Sequence, residues 1–124
     1  MSENFANYSE ENEDLEGQLS IDVFQDEHNI YIVAPVAGAK AGDVDLSFTE
    51  NTITIKGKRA FVGSTTHDKY IVQEVYWGNF SRSYNIPINV NAESSKATLK
   101  DGLLKIEIPK DEKAKTKFIK VNDK

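Results

Sequence analysis

Residues 97 to 110 read Ala-Thr-Leu-Lys-Asp-Gly-Leu-Leu-Lys-Ile-Glu-Ile-Pro-Lys, and this stretch decides the fold. Asp101-Gly102 is a strong hairpin signal, because both central positions of a type I′ turn need φ > 0, which Gly adopts freely and Asp tolerates. Beyond the turn, Leu104, Ile106 and Ile108 alternate with Lys105 and Glu107. A period of two gives one buried and one wet face. Pro109 ends the strand, since it has no N–H to give a ladder. An arm of this kind belongs to a β-sheet domain with at least one solvated face.

The same periodicity runs N-terminally. Leu19, Ile21 and Val23 alternate with Ser20 and Asp22, and residues 26–29 turn the chain into a dense apolar run over 30–36. Residues 35–42, punctuated by Gly38 and Gly42, read as a loop. Val44, Leu46 and Phe48 form the next alternating strand, Glu50-Asn51 a turn, and Ile53 and Ile55 a further strand before Gly57. A long connection over 58–69 carries Gly63-Ser64-Thr65-Thr66 at its centre. Residues 71–76 resume the β pattern, Trp77-Gly78-Asn79 interrupts it, and residues 80–86 continue it to Pro87. Short strands at this spacing, with no helix-period apolar stripe, predict an all-β sandwich or barrel of about eight strands.

The chain of 124 residues fits one domain, carries a net charge of −5 and contains no cysteine. Disulfides and thiol chemistry are excluded, a reducing cytoplasm is expected, and the acidic balance argues against nucleic acid as a partner. No apolar run reaches the ~18–20 residues that span a bilayer, and no secretory signal pattern is seen. Residues 1–18 are acidic and polar around Phe5, Tyr8 and Leu15, too few apolar groups to offset ordering entropy. A flexible arm is therefore expected, with a short helix capped by Ser9 as the alternative. The division is a flexible arm 1–18, a sandwich 19–110, and a C-terminal extension 111–124.

Three motifs occur in order: Ile55, Gly57 and Arg59 as I-x-G-x-R; Gly78, Phe80, Arg82, Tyr84, Ile86 and Pro87 as G-x-F-x-R-x-(F/Y)-x-(L/I)-P; and the hairpin from Ala97 to Lys110. Together they resemble the small heat shock proteins, the Hsp20 or α-crystallin domain family. The resemblance implies an immunoglobulin-like antiparallel β-sandwich that forms homodimers and higher homo-oligomers. It implies ATP-independent binding of unfolding client proteins, held for ATP-dependent chaperones downstream, and no cofactor. The 58–69 connection is similar to the family loop that carries a strand exchanged between subunits. Ile119-Lys120-Val121 is similar to its tail anchor, which docks as an added strand in an apolar groove. Val44, Leu46, Phe48 and Leu99 would line that groove and bind clients. Arg82, with Arg59, Glu74 and Tyr70, would lie at the dimer interface. The chain differs from the family in its short acidic arm, in Pro35-Val36-Ala37-Gly38 for Pro-Gly, and in lacking Arg after Glu74.

Arg82 shares an alternating face with Phe80, Tyr84 and Ile86 and so needs a partner, because an unpaired buried charge costs several kcal/mol. An acid across the dimer interface and a local surface salt bridge are the two readings. Ile86-Pro87-Ile88 also spells I-x-I, but its place at a strand end points to core packing. Of the aromatics Tyr70, Tyr76, Trp77, Phe80 and Tyr84, most belong in core or interface, and any left outside would mark a binding surface. His28 and His67 stand in turns without metal-ligand spacing, and Ser64, Thr65 and Thr66 lack an oxyanion hole or nucleophile elbow. No phosphate loop or set-apart carboxylate pair occurs, so no enzyme is expected. The alternative reading is a p23/CS-like co-chaperone or adaptor sandwich that binds one folded partner.

Overall fold

A computed structural model describes residues 17–60, 69–111 and 119–123. The arm 1–16, the centre of the long connection, and the extension over 112–118 lie outside the described residues. Two four-stranded sheets face each other, in the orders β1-β6-β5-β4 and β2-β3-β8-β7. The strands are β1 (Gly17–Gln18), β2 (Asp22–Gln25), β3 (Asn29–Pro35), β4 (Val44–Thr49), β5 (Thr52–Arg59), β6 (Gly78–Asn85), β7 (Lys96–Lys100) and β8 (Leu103–Pro109). Short 3-10 turns stand at Ala41–Asp43 and Ala92–Ser94.

The β7–β8 hairpin forms as its turn chemistry requires. Asp101 and Gly102 take φ of 53° and 78°, the left-handed pair of a type I′ turn. Leu99 faces Leu104 across it, and the Val36 N–H donates to the Gly102 carbonyl at 2.7 Å, tying the turn to the loop after β3. Leu104, Ile106 and Ile108 are buried and Lys105 is exposed, so the period of two is realised. The core is completed by Ile30, Ile32, Ala34 and Val36 from β3 and its end, Ile53 and Ile55 from β5, and Phe80 and Ile86 from β6 and its end, with Leu19. Apart from Leu19, which lies between β1 and β2, these come from the four central strands or their ends, where neighbours on both sides and the opposite sheet exclude water together.

Several sequence expectations are corrected. No strand forms over residues 71–76: Ile71 is fully exposed and Val72 and Val75 are exposed beside it. The alternation there has no sheet partner among the described residues, and a period of two alone does not bury a strand. Over residues 30–34 buried positions alternate with half-buried Tyr31 and Val33, which lie on the outer side of their sheet, and Pro35 is exposed, so the run is not buried on both faces. The first sheet is mixed, since β1 pairs with β6 in parallel, Gly17 opposite Phe80. The sheet thus begins at Gly17, inside the expected arm. Leu19 and Ile21 then cross between the sheets, and β2 begins only at Asp22.

Candidate functional site

The two sheets end on the same side in β4 and β7, each hydrogen-bonded to one neighbour among the described residues. Between them runs an apolar groove of about 100 Å³, lined by Val44 and Leu46 from β4, Leu99 and Ala97 from β7, and Leu104 at its floor. Alternation makes it: Val44, Leu46 and Phe48 are half-buried while Asp45, Ser47 and Thr49 point to water. The β4–β5 pairing sets Leu46 against Ile55, and Leu99 lies opposite Leu104, so the walls are held by core strands. Phe48, on the same face of β4, packs against the core as Val44, Leu46 and Leu99 do, but it does not line the groove. Two strand edges beside an apolar trough offer an extended peptide both backbone partners and side-chain pockets.

Ile119 and Val121 are 82% and 89% exposed. Both side chains are β-branched and apolar, matching the groove in polarity. Neither touches it in this chain.

The residues expected at an interface gather elsewhere. A hollow of about 420 Å³ is lined by Gly17, Leu19, Pro35, Arg59, Tyr76 and Phe80. Arg59 runs under Gly38, and its Nε is buried with no hydrogen-bond partner, as is Oε1 of Gln73. Glu74 is exposed and Tyr70 half-buried. Arg82 is partly buried, and its Nη1 donates to the Leu19 carbonyl at 3.0 Å. Within the chain it thus pins the crossing segment to β6, where sequence reasoning weighed an acid across an interface against a surface salt bridge. Of the aromatic cluster, Phe80 is buried, Trp77 and Tyr84 are half-buried, and Tyr76 is at the surface, its hydroxyl donating to the Asn79 carbonyl at 2.7 Å.

Sequence reasoning did not mark a second apolar hollow, of about 170 Å³, at the opposite seam, with Val23, Phe24, Ile30, Tyr84, Ile86 and Ile88 around it. Of the internal I-x-I, Ile86 is core and Ile88 is at the surface. Phe24 stacks on Tyr31 with ring centroids 5.2 Å apart. The exposed side of β2 is visible in the alternation, but its neighbour across the seam is set by the β1 crossing, for which the sequence carries no signal.

The β2–β3 turn carries two groups with shifted titration. Asp26 is held below the ordinary 3.8 by hydrogen bonds from the Asn29 N–H, the Tyr31 hydroxyl and the His28 N–H. Tyr31 is raised above the ordinary 10.0, first by its bond to Asp26. No group of three or more His, Cys, Asp or Glu side chains among the described residues could hold a metal ion, and no described helix is long and apolar enough to cross a membrane.

The family model for the Hsp20/alpha crystallin family matches residues 22–122. Small heat shock protein C4 of Rickettsia felis is 36% identical over 101 residues, covering 82% of this chain and 62% of the relative. Small heat shock protein C2 of the same organism is 30% identical over 100 residues, covering 81% of this chain and 65% of the relative. The chain thus spans somewhat under two thirds of both. Heat shock protein 16.0 from Schizosaccharomyces pombe superposes with a TM-score of 0.71 at 28% identity, covering 87% of this chain and all of that one.

Proposed function

Because the chain belongs to the Hsp20/alpha crystallin family, we propose that it is a chaperone of the holdase kind, which binds unfolding proteins without nucleotide and keeps them from aggregating. The observation that carries this reading is the groove between β4 and β7, with Val44, Leu46 and Leu99 on its walls and an exposed Ile119/Val121 pair in the same chain. An unfolding protein exposes extended apolar segments, and the groove accepts that chemistry without demanding a sequence. The tail of a neighbouring copy competes for the same place. Docking is reversible because the pair buries only two side chains, each worth about 1.5–3 kcal/mol before the ordering cost. Heating frees the groove as clients appear.

Self-association is the second part of the proposal. Exposed Ile71, Val72 and Val75, the open hollow beside Tyr76, and the unpartnered Nε of Arg59 all support a dimer made on that side of the sandwich. A buried N–H without an acceptor costs free energy, so a partner's acceptor at that Nε would stabilise the pair. Arg82, Glu74 and Tyr70 belong to this interface in the proposal, and strand exchange through the 58–69 connection is its natural form. Clients are passed to ATP-dependent chaperones, and the setting is the cytoplasm. No catalytic step enters this account.

The test is light scattering from a heat-labile client warmed with this protein and no nucleotide. Suppression at near-equal subunit ratios is the expected result. No suppression by a folded protein, together with a one-to-one complex with a single folded partner, would replace this reading with that of an adaptor sandwich.

A further inference from the structure

The end of β8 does not fray at Pro109. It is held for two more residues, and the grip comes from the β2–β3 turn. Asp26 shapes that turn: its Oδ1 accepts from the His28 N–H at 2.9 Å and the Asn29 N–H at 2.7 Å, and its Oδ2 accepts from the Tyr31 hydroxyl at 2.9 Å. A side-chain carboxylate that gathers successive backbone N–H groups locks a turn. The Asp26 N–H also donates to the Asn29 carbonyl at 3.0 Å, closing the loop from within.

The locked turn presents two carbonyls to one residue. His28 O accepts the Lys110 N–H at 2.9 Å, and Asp26 O accepts Lys110 Nζ at 2.7 Å. On the other flank the Asp111 N–H donates to the Asn89 carbonyl at 3.0 Å, the Asn91 N–H donates to the Pro109 carbonyl at 2.8 Å, and Val90 bridges Lys110. A segment after a strand-ending proline is ordinarily poorly ordered, because the ladder has stopped. Here residues 110 and 111 are fastened from both sides.

We propose that Asp26 and Lys110 are positioning residues for the C-terminal extension: they fix where and in which direction it leaves the sandwich, and so which neighbour's groove Ile119 and Val121 can enter. The proposal rests on the tail-docking reading above. The reach involved is telling. Freeing two residues lengthens a tether by about 7 Å, whereas neighbouring strands stand about 4.8 Å apart. A loosened root therefore admits other registers and other neighbours, and a single assembly becomes a mixture.

The test uses the full chain in three variants. Asp26→Ala opens the turn; Asp26→Asn keeps the Oδ1 acceptor for His28 and Asn29; Lys110→Met removes the Nζ bond while keeping the stem. Amide exchange at residues 110 and 111 and the native mass distribution are read together, with Ile119→Ala/Val121→Ala as control. The expected result is at least tenfold faster exchange at the Lys110 amide in Asp26→Ala, a smaller effect in Lys110→Met, near-normal behaviour in Asp26→Asn, and unchanged exchange at the Ile106 amide. The mass distribution of Asp26→Ala should broaden. In the control the assembly should shrink while Lys110 exchange stays normal. Exchange at Lys110 within twofold of the parent in both Asp26→Ala and Lys110→Met overturns the proposal. So does faster exchange with an unaltered assembly when the control shrinks. A control that leaves assembly unaltered removes tail docking itself, and with it the proposal's second half. The exchange result then decides the clamp alone. If Asp26→Ala fails to fold, Lys110→Met decides.

Discussion

Gly57 and Phe80 are cross-strand partners on β5 and β6, and the substitution Gly57→Ala tests how the sandwich core is built. Gly57 does not adopt a left-handed φ, so an alanine there meets no backbone penalty. What it meets is the ring. A Cβ on Gly57 would stand 2.7 Å from Phe80 Cε1, closer still to its Cζ, and 3.0 Å from the Asp43 carbonyl oxygen. Phe80 is buried with 4% exposure, so its ring has no open water to retreat into. Overpacking of this kind costs about 1–3 kcal/mol, opposed by about 0.5–1 kcal/mol from replacing glycine in a strand. The midpoints of these ranges leave a net destabilisation of about 1 kcal/mol. The assay is urea unfolding followed by Trp77, the chain's sole tryptophan, at one fixed subunit concentration because self-association would shift the midpoint. Phe80→Leu shortens the ring side chain, and in the double variant the new methyl finds room, so the two changes should couple favourably by about 1 kcal/mol. Gly57→Ala within about 0.5 kcal/mol of the parent, or strict additivity in the double variant, would refute the packing argument.

Three further outcomes are expected of the same structure. Ile119→Ala with Val121→Ala removes roughly five buried carbons at about 0.8 kcal/mol each, an upper bound near 4 kcal/mol, so docking should weaken about 100- to 1000-fold and native mass spectrometry should show smaller assemblies of folded subunits. Asp26 is lowered in the folded state, so its contribution to stability is present above the ordinary 3.8 and is lost as pH falls through the lower folded value, and Tyr31, raised, loses its contribution as pH rises past 10.0. Urea midpoints of the parent and of Asp26→Asn across these two ranges check both, and identical pH profiles would contradict the assignment. Gly102→Ala places a Cβ 3.3 Å from Ala37 at a φ of 78°, so a midpoint loss of about 1–2 kcal/mol is expected in the same urea assay, since strain and crowding add.

The hairpin was legible because turn chemistry and alternation are local, and Asp101, Gly102, Leu104, Ile106 and Ile108 each carry their part in plain sequence. The groove was legible in part. Val44, Leu46 and Leu99 do converge, while Phe48, on the same face two residues farther along β4, does not line the groove. What failed was the reading of 71–76, where alternation without a partner among the described residues leaves Ile71, Val72 and Val75 in water. The parallel β1 pairing was invisible because two residues, Gly17 and Gln18, carry no period. Glu50 stands at φ 57°, a left-handed glutamate that no side-chain preference announces. The grip of Asp26 on Lys110 spans 84 positions, a distance over which only the folded sheet can act.

The central claim is that one groove serves tail and client in turn. A photo-activatable residue placed at Leu46 in the full chain tests it. Below the client's unfolding temperature the label should cross-link to the Ile119–Val121 segment of another copy. With a heat-labile client warmed in the mixture, cross-linking should pass from tail to client as scattering is suppressed. Suppression of scattering with no client cross-linked at Leu46, under conditions where the tail is, would contradict the account.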